Sequence, residues 1–115
     1  MPDPLYIKKH DLQPYYYGAV QNSANAVVPI TGAAIYCTMK NAVSGALKIT
    51  RQTTGITITD GPNGLFEYHW QATDTDTTGK YFIEFEINPG SGGKFTVPVK
   101  SDDAIIVIVD SLDTI

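Results

Sequence analysis

Cysteine is almost missing from this chain, whose 115 residues contain only one, Cys37. A single thiol excludes an intramolecular disulfide, and with it the disulfide-stapled framework of small secreted domains. Histidine is also scarce, because His10 and His69 stand alone without the HxH or HExxH spacing of a zinc site. We therefore expect no metal site and no cofactor.

Charge is sparse too, at 17% of residues, and eight basic side chains face twelve acidic ones. Only Lys8 and Lys9 are adjacent, so the sequence offers no basic patch for phosphate. The longest aliphatic run, 104–109, is far shorter than the ~20 residues that cross a bilayer, and the N-terminus lacks the apolar region of a signal peptide. We expect a protein made in a cytoplasm, with neither nucleic acid nor membrane as its partner.

What the chain does contain is period-two alternation of apolar residues, broken by clusters of Gly, Pro, Asn and Asp. Thirteen threonines and seven tyrosines add β propensity. An antiparallel all-β sandwich is therefore predicted, because turns separate short strands at intervals of about 8–12 residues. The predicted strands are 5–8, 15–20, 33–40, 47–50, 56–59, 65–71, 80–88, a return strand starting at Phe95 and Val97, and 104–109.

The most specific local pattern runs from Trp70 to Tyr81. A strand ends in the tryptophan, an acidic threonine-rich loop follows, Gly79 permits a tight turn, and the tyrosine begins the next strand. In Greek-key sandwiches a tyrosine at this corner packs its ring in the core and bonds to backbone through its hydroxyl. Asp76 is expected to accept backbone N–H groups in the loop, and Trp70 is expected to be buried between the sheets. The plainer alternative is that Tyr81 is an ordinary inward-facing aromatic.

Two segments resemble a known domain. Residues 30–40, ITGAAIYCTMK, and residues 60–87, which include NGLFEYHW and DTDTTGKYFIEFE, are similar to the small immunoglobulin-like domain of tailed-phage baseplate upper proteins. That domain lies at the N-terminus of those proteins and also occurs in stand-alone phage and prophage proteins. The resemblance, which covers about residues 30–109, implies a single immunoglobulin-like β-sandwich of about seven to nine strands. It also implies a virion location with other virion proteins as partners. The expected domain spans 1–115, with loose ends at about 1–4 and 110–115.

Isolated reactive side chains do not predict catalysis. Cys37 alternates onto the face of Ile35 and Met39, which indicates an inert core thiol. His69 falls on the face opposite its aromatic neighbours and is expected to face solvent. No Ser or Cys is placed beside a histidine as a nucleophile would need.

Two pairs of carboxylates need an explanation. Asp74 and Asp76 offer too few ligands for calcium, so a hydrogen-bonded loop is the simpler expectation. Glu84 and Glu86 share one strand face, which indicates a solvated sheet surface rather than the acids of a glycosidase. We therefore expect that the protein is not an enzyme, with a small hydrolase as the weakest alternative.

Two apolar features indicate contact surfaces. Tyr15, Tyr16 and Tyr17 are consecutive, so they cannot all face one core. Residues 105–109 are apolar on both faces, so Ile106 and Ile108 either meet a partner or lie under a loop or the N-terminal strand. These five side chains form the predicted interface.

The function predicted from these features is a non-enzymatic structural or assembly protein of a tailed phage or prophage. The tail or baseplate is the first expectation and the head or neck the second. Docking would proceed between symmetric copies, as a homo-oligomer, or onto other virion proteins. The alternative is a carbohydrate- or cell-surface-binding adhesion module, for which Tyr16, Tyr36 and Phe82 are the outward-facing aromatic candidates.

Overall fold

The computed structural model describes residues 4–22, 24, 26–89, 93–98, 104–110 and 112. Most of the loose ends expected at 1–4 and 110–115 lie outside these described residues. Within them the chain forms strands at nearly every predicted position, and a short 3-10 helix, Gly61–Asn63, fills the turn with the densest Gly, Pro and Asn content. The described strands are β1 Leu5–Lys8, β2 Tyr16–Ala19, β3 Ala34–Asn41, β4 Leu47–Gln52, β5 Ile56–Asp60, β6 Leu65–Tyr68, β7 Gly79–Asn88, β8 Phe95–Val97 and β9 Ile105–Val109.

The described strands form two sheets. The larger has the order β1-β9-β7-β3-β4, with β8 paired to the second half of β7, and the smaller has the order β2-β6-β5. With β3, β7 and β9 as strands C, F and G, and β2, β5 and β6 as B, D and E, this is the strand order of an immunoglobulin sandwich. The predicted fold class is confirmed. One pair differs from the antiparallel expectation, because β1 runs parallel to β9.

The core lies between the sheets and follows the predicted alternation. On β7 the side chains of Tyr81, Ile83, Phe85 and Ile87 are buried, and those between them face outward. Tyr16, Phe66 and Tyr68 from the smaller sheet place their ring centroids 5.1, 4.8 and 6.3 Å from that of Phe85. The two sheets therefore meet through aromatic contacts of the tilted and edge-to-face kinds that quadrupolar rings favour.

Trp70 is buried, as predicted, although β6 ends two residues before it. Its ring packs edge-on against Tyr68, with centroids 5.3 Å apart. Its indole N–H donates a 2.8 Å hydrogen bond to the carbonyl of Pro14. The side chain thus holds the segment before β2 against the end of β6.

Strand β9 requires a correction to the predicted interface. Ile106 and Ile108 are 0% and 2% exposed and belong to the core. Each is flanked by a β1 residue, since Leu5 pairs with Ile106 and Ile7 with Ile108. The N-terminal strand pairs beside these side chains rather than over them, as the alternative to a partner had it, and they are buried in the domain's own core. In a strand that is apolar on both faces, no periodic pattern shows which of the two alternating sets of side chains turns inward.

Candidate functional site

The corner between β6 and β7 has the expected tyrosine contact. The Tyr81 ring is buried and its hydroxyl donates a 2.9 Å hydrogen bond to the carbonyl of Thr77, four residues upstream. Gly79 has a φ of +147°, and a Cβ there would lie 3.3 Å from Nδ2 of Asn41. The glycine therefore lets β7 begin close to the end of β3, with the tyrosine closing the corner.

The acidic loop is anchored by a different aspartate from the one predicted. Asp74 is buried, and its Oδ2 accepts hydrogen bonds from the Gln71 N–H at 2.8 Å and the Tyr68 hydroxyl at 2.5 Å. Asp76, by contrast, accepts no hydrogen bond from a backbone N–H of the described residues; its partners there are Lys48 and the Thr77 hydroxyl. The hydrogen bond from Lys48 is the main cause of a lowered pKa at Asp76. Both aspartates follow a threonine, so the local pattern could not show which of them turns inward.

The described residues contain no group of three or more His, Cys, Asp or Glu that could hold a metal ion. Cys37 is fully buried, and burial raises the pKa of its thiol, which disfavours the reactive thiolate. No helix among these residues is long and apolar enough to cross a membrane.

The three consecutive tyrosines separate, as alternation requires. Tyr16 turns inward onto Phe85, so its assignment as an outward-facing aromatic is wrong. Tyr15 stacks on His69, with ring centroids 3.8 Å apart and planes 11° from parallel. Tyr17 is 68% exposed. Only two of the three are therefore available to a ligand or partner.

Tyr15 and Tyr17 form a tyrosine–histidine cluster with Glu67 and His69 on the outer face of the smaller sheet. Glu67 and His69 share a 2.6 Å hydrogen bond, and Tyr15 and Tyr17 are 6.4 Å apart in an edge-to-face arrangement. The His69 side chain is 37% exposed. It lies on the outer face as predicted, but Tyr15 covers one side of its ring.

The outer face of the larger sheet carries a second candidate surface, the outer patch, formed by residues of four strands. Strand pairing sets these residues in two neighbouring rows across the sheet. The first row runs from Ile105 through Phe82 and Lys40 to Leu47. The second row places Tyr6 beside Val107. Tyr6 and Leu47 are 61% and 58% exposed; the other three apolar members are partly exposed. The outer patch consists of Tyr6, Leu47, Phe82, Ile105 and Val107.

A groove of about 430 Å³ runs beside the outer patch. Phe82, Leu47 and Pro98 supply its apolar lining, and Lys40 and Glu84 supply charge. Phe82 faces outward, as its sequence position predicts, whereas no sequence pattern indicates that Tyr6 and Leu47 share its surface. Each of those lies in a short strand, and only the sheet order brings them to the same surface.

The opposite end of this sheet face is polar and internally paired. Arg51 lies over the ring of Tyr36, 4.3 Å from its centroid, and donates a 2.7 Å hydrogen bond to Glu86. Lys94 is 3.6 Å from the other oxygen of Glu86. The hydrogen bond from Arg51 is the main cause of a lowered pKa at Glu86. Tyr36 faces outward as predicted, but the guanidinium already covers its ring.

Comparisons of this chain with protein-family models, curated proteins and solved structures find no match.

Proposed function

We propose that this protein is a non-enzymatic structural or assembly protein of a tailed-phage or prophage virion, in the tail or baseplate first and the head or neck second. It acts by docking a rigid sheet face onto neighbouring subunits. Symmetry repeats one modest contact many times, so the assembly is stable even where each contact is weak.

The observation that carries this proposal is the outer patch. Strand β9 directs Ile106 and Ile108 into the core, which leaves Ile105 and Val107 on the outside beside Phe82. Burying one such side chain contributes about 1.5–3 kcal/mol. A contact over the outer patch therefore contributes favourably to the free energy of binding. Part of this gain is offset by the translational and rotational freedom lost on association.

The phage assignment is supported by the resemblance and by the positions of its motif residues. Trp70 and Tyr81 close the two ends of the acidic loop, and Asp74 anchors it from within. The quoted motifs thus fall on the core and corner of the sandwich, where they would preserve the fold. The outer patch is the part that would serve docking.

The test is the presence of the protein in particles. Virions are induced from the source strain, purified on a density gradient and probed with an antibody raised against this chain. The protein is expected to co-sediment with particles at a fixed ratio to the major tail or capsid subunit. Complete absence from gradient-purified particles would contradict the proposal.

A matched pair of variants tests the surface. Phe82→Ser, supplied in trans to a strain that lacks the wild-type gene, is expected to reduce incorporation into particles. Leu65→Ser changes an exposed apolar side chain on the smaller sheet and is expected to leave incorporation unchanged. Near-ultraviolet circular dichroism of both purified variants confirms that each is folded. Equal incorporation of the two would remove the outer patch from the mechanism.

The second candidate function is adhesion to carbohydrate, and the tyrosine–histidine cluster favours it. Tyr17 presents an exposed ring on which a sugar can stack, and Glu67 and His69 supply polar groups beside it. Glycan-array binding that Tyr17→Ala abolishes would support this function. Tyr6→Ala, which removes an exposed tyrosine from the larger sheet, is the matched control. Absence of binding to every glycan on the array would reject it.

A further inference from the structure

The outward side of β7 carries a short pattern of charge. Lys80, Phe82 and Glu84 alternate with the buried Tyr81 and Ile83, so their side chains lie in line on the outer face. The sequence along the strand is therefore positive, apolar and negative. Both charged side chains are exposed, and neither takes part in an ion pair among the described residues.

We propose that a second copy of this chain docks on the outer patch. The two copies are related by a two-fold axis that lies in the plane of contact, passes Phe82 and runs perpendicular to β7. This inference rests on the proposed docking function and names its partner. Such an axis reverses the direction of β7 in the second copy. Lys80 of each copy then faces Glu84 of the other, and the two Phe82 rings meet between the two ion pairs.

The charge pattern favours a second copy as the partner, because the row of Lys80, Phe82 and Glu84 is complementary to the same row running in the opposite direction. In a two-fold contact the same surface appears on both subunits, so a positive and a negative group placed on either side of the axis are matched twice. An axis parallel to β7 would instead set Lys80 against Lys80 and Glu84 against Glu84, and like charges facing each other oppose association. The order of charges therefore specifies both the partner and the direction of docking.

The neighbouring side chains are compatible with this arrangement. Ile105 lies beside Phe82 on one flank, so the apolar contact extends onto β9. Lys40 lies on the other flank, and two strictly aligned copies would place both Lys40 side chains together. Face-packed sheets cross at about 30°, and this rotation moves the two ammonium groups apart.

A charge-swap series tests the inference in the whole chain. Sedimentation equilibrium of the wild type is expected to show a dimer that dissociates on dilution. Lys80→Glu and Glu84→Lys are each expected to weaken it on the order of tenfold or more, because each sets like charges across the axis. The double variant restores opposite charges and is expected to recover the wild-type dissociation constant. Asp11→Lys, an equal charge change in the exposed loop before β2, is the control.

Cross-linking tests the position of the axis separately. Face-packed sheets lie about 10 Å apart, which a short bis-maleimide spans, and the buried Cys37 does not react. Phe82→Cys is expected to give covalent dimers at low protein concentration, whereas Leu65→Cys is expected to remain monomeric. This readout does not require the dimer to survive dilution.

The outcomes distinguish this inference from the function on which it rests. A chain that stays monomeric at high concentration, with no recovery in the double variant and no cross-link at position 82, overturns the two-fold contact. In that case, reduced incorporation of the Phe82→Ser variant into particles would still support docking onto a different virion subunit. A dimer rescued by the charge swap, from a protein absent from virions, upholds the contact and rejects the virion role.

Discussion

The hydroxyl of Tyr68 donates a hydrogen bond to the buried carboxylate of Asp74, six residues later in the chain. Gln52 donates to the same hydroxyl oxygen at 2.8 Å, so a side chain of the larger sheet joins the contact. Burial is the main cause of a raised pKa at Tyr68, and the hydrogen bond to Asp74 adds to it. The loop before β7 is thus tied to both sheets by polar groups inside the protein.

Asp74→Asn is expected to lower the free energy of unfolding by about 1.5–3 kcal/mol, the range for a hydrogen bond to a charged group. The backbone N–H of Gln71 and the Tyr68 hydroxyl both lose their carboxylate acceptor. Asp76→Asn is the matched control and is expected to lower stability less than Asp74→Asn does, because its ion pair with Lys48 is partly open to solvent. Urea denaturation measures both, and equal losses would contradict the assignment of Asp74 as the anchor.

Tyr81→Phe isolates the hydroxyl at the corner. The ring keeps its packing and only the bond to Thr77 is lost, so stability is expected to fall by about 0.5–1.5 kcal/mol. Tyr17→Phe removes a hydroxyl from an exposed ring and is expected to change nothing measurable. If the two variants have the same denaturation midpoint, the hydroxyl contributes no stability to the corner.

Two adjacent residues of β9 are expected to respond in opposite ways to lysine. Ile106→Lys places a charge in the core and is expected to unfold the domain, with a loss above about 4 kcal/mol. Val107→Lys faces outward and is expected to leave the domain folded, with a change within about 1 kcal/mol. Thermal unfolding followed by circular dichroism compares them. A folded Ile106→Lys would place that side chain on the surface.

Gly18 is expected to tolerate no side chain. A Cβ there would lie 2.2 Å from the tip of the Phe66 ring, which crosses directly over the strand. Gly18→Ala is expected to cost about 1–3 kcal/mol through overpacking, and Phe66→Leu in the same chain is expected to recover part of that loss. Gly93→Ala, with nothing within 4 Å of the added carbon, is the control. The stability of each variant is measured as its midpoint of unfolding in denaturant. Equal midpoints for Gly18→Ala and Gly93→Ala would show that the Phe66 ring moves aside without cost.

Acid is expected to remove the contribution of the Lys48–Asp76 pair. The pKa of Asp76 is lowered in the folded protein, so the pair stabilises the fold above the unfolded pKa of about 3.9. That contribution is lost as the pH falls through the lower, folded value. Unfolding midpoints of wild type and Asp76→Asn, measured from pH 7 downward, are therefore expected to converge in acid. A difference that stays constant throughout would contradict the ion-pair origin of the shift.

Elements in which polar and apolar residues alternate could be predicted from local sequence. On β3 and β7 the polar side chains mark the outer face, so the burial of Cys37 and Phe85 followed from the period alone. The corner was predictable for a similar reason: Gly79 and Tyr81 are close in the chain, and the Tyr81 hydroxyl bonds to the carbonyl of Thr77, only four residues upstream. The all-β class and most strand positions came from the same short-range signals.

Where neighbouring residues are chemically alike, only packing shows which of them faces inward. Nothing local distinguishes Ile106 from Val107, or Asp74 from Asp76; the core between the sheets takes Ile106, and the Tyr68 hydroxyl takes Asp74. The outer patch was hidden for a different reason. Its residues come from four strands separated along the chain, and they become one surface only when the sheet order β1-β9-β7-β3-β4 places them side by side.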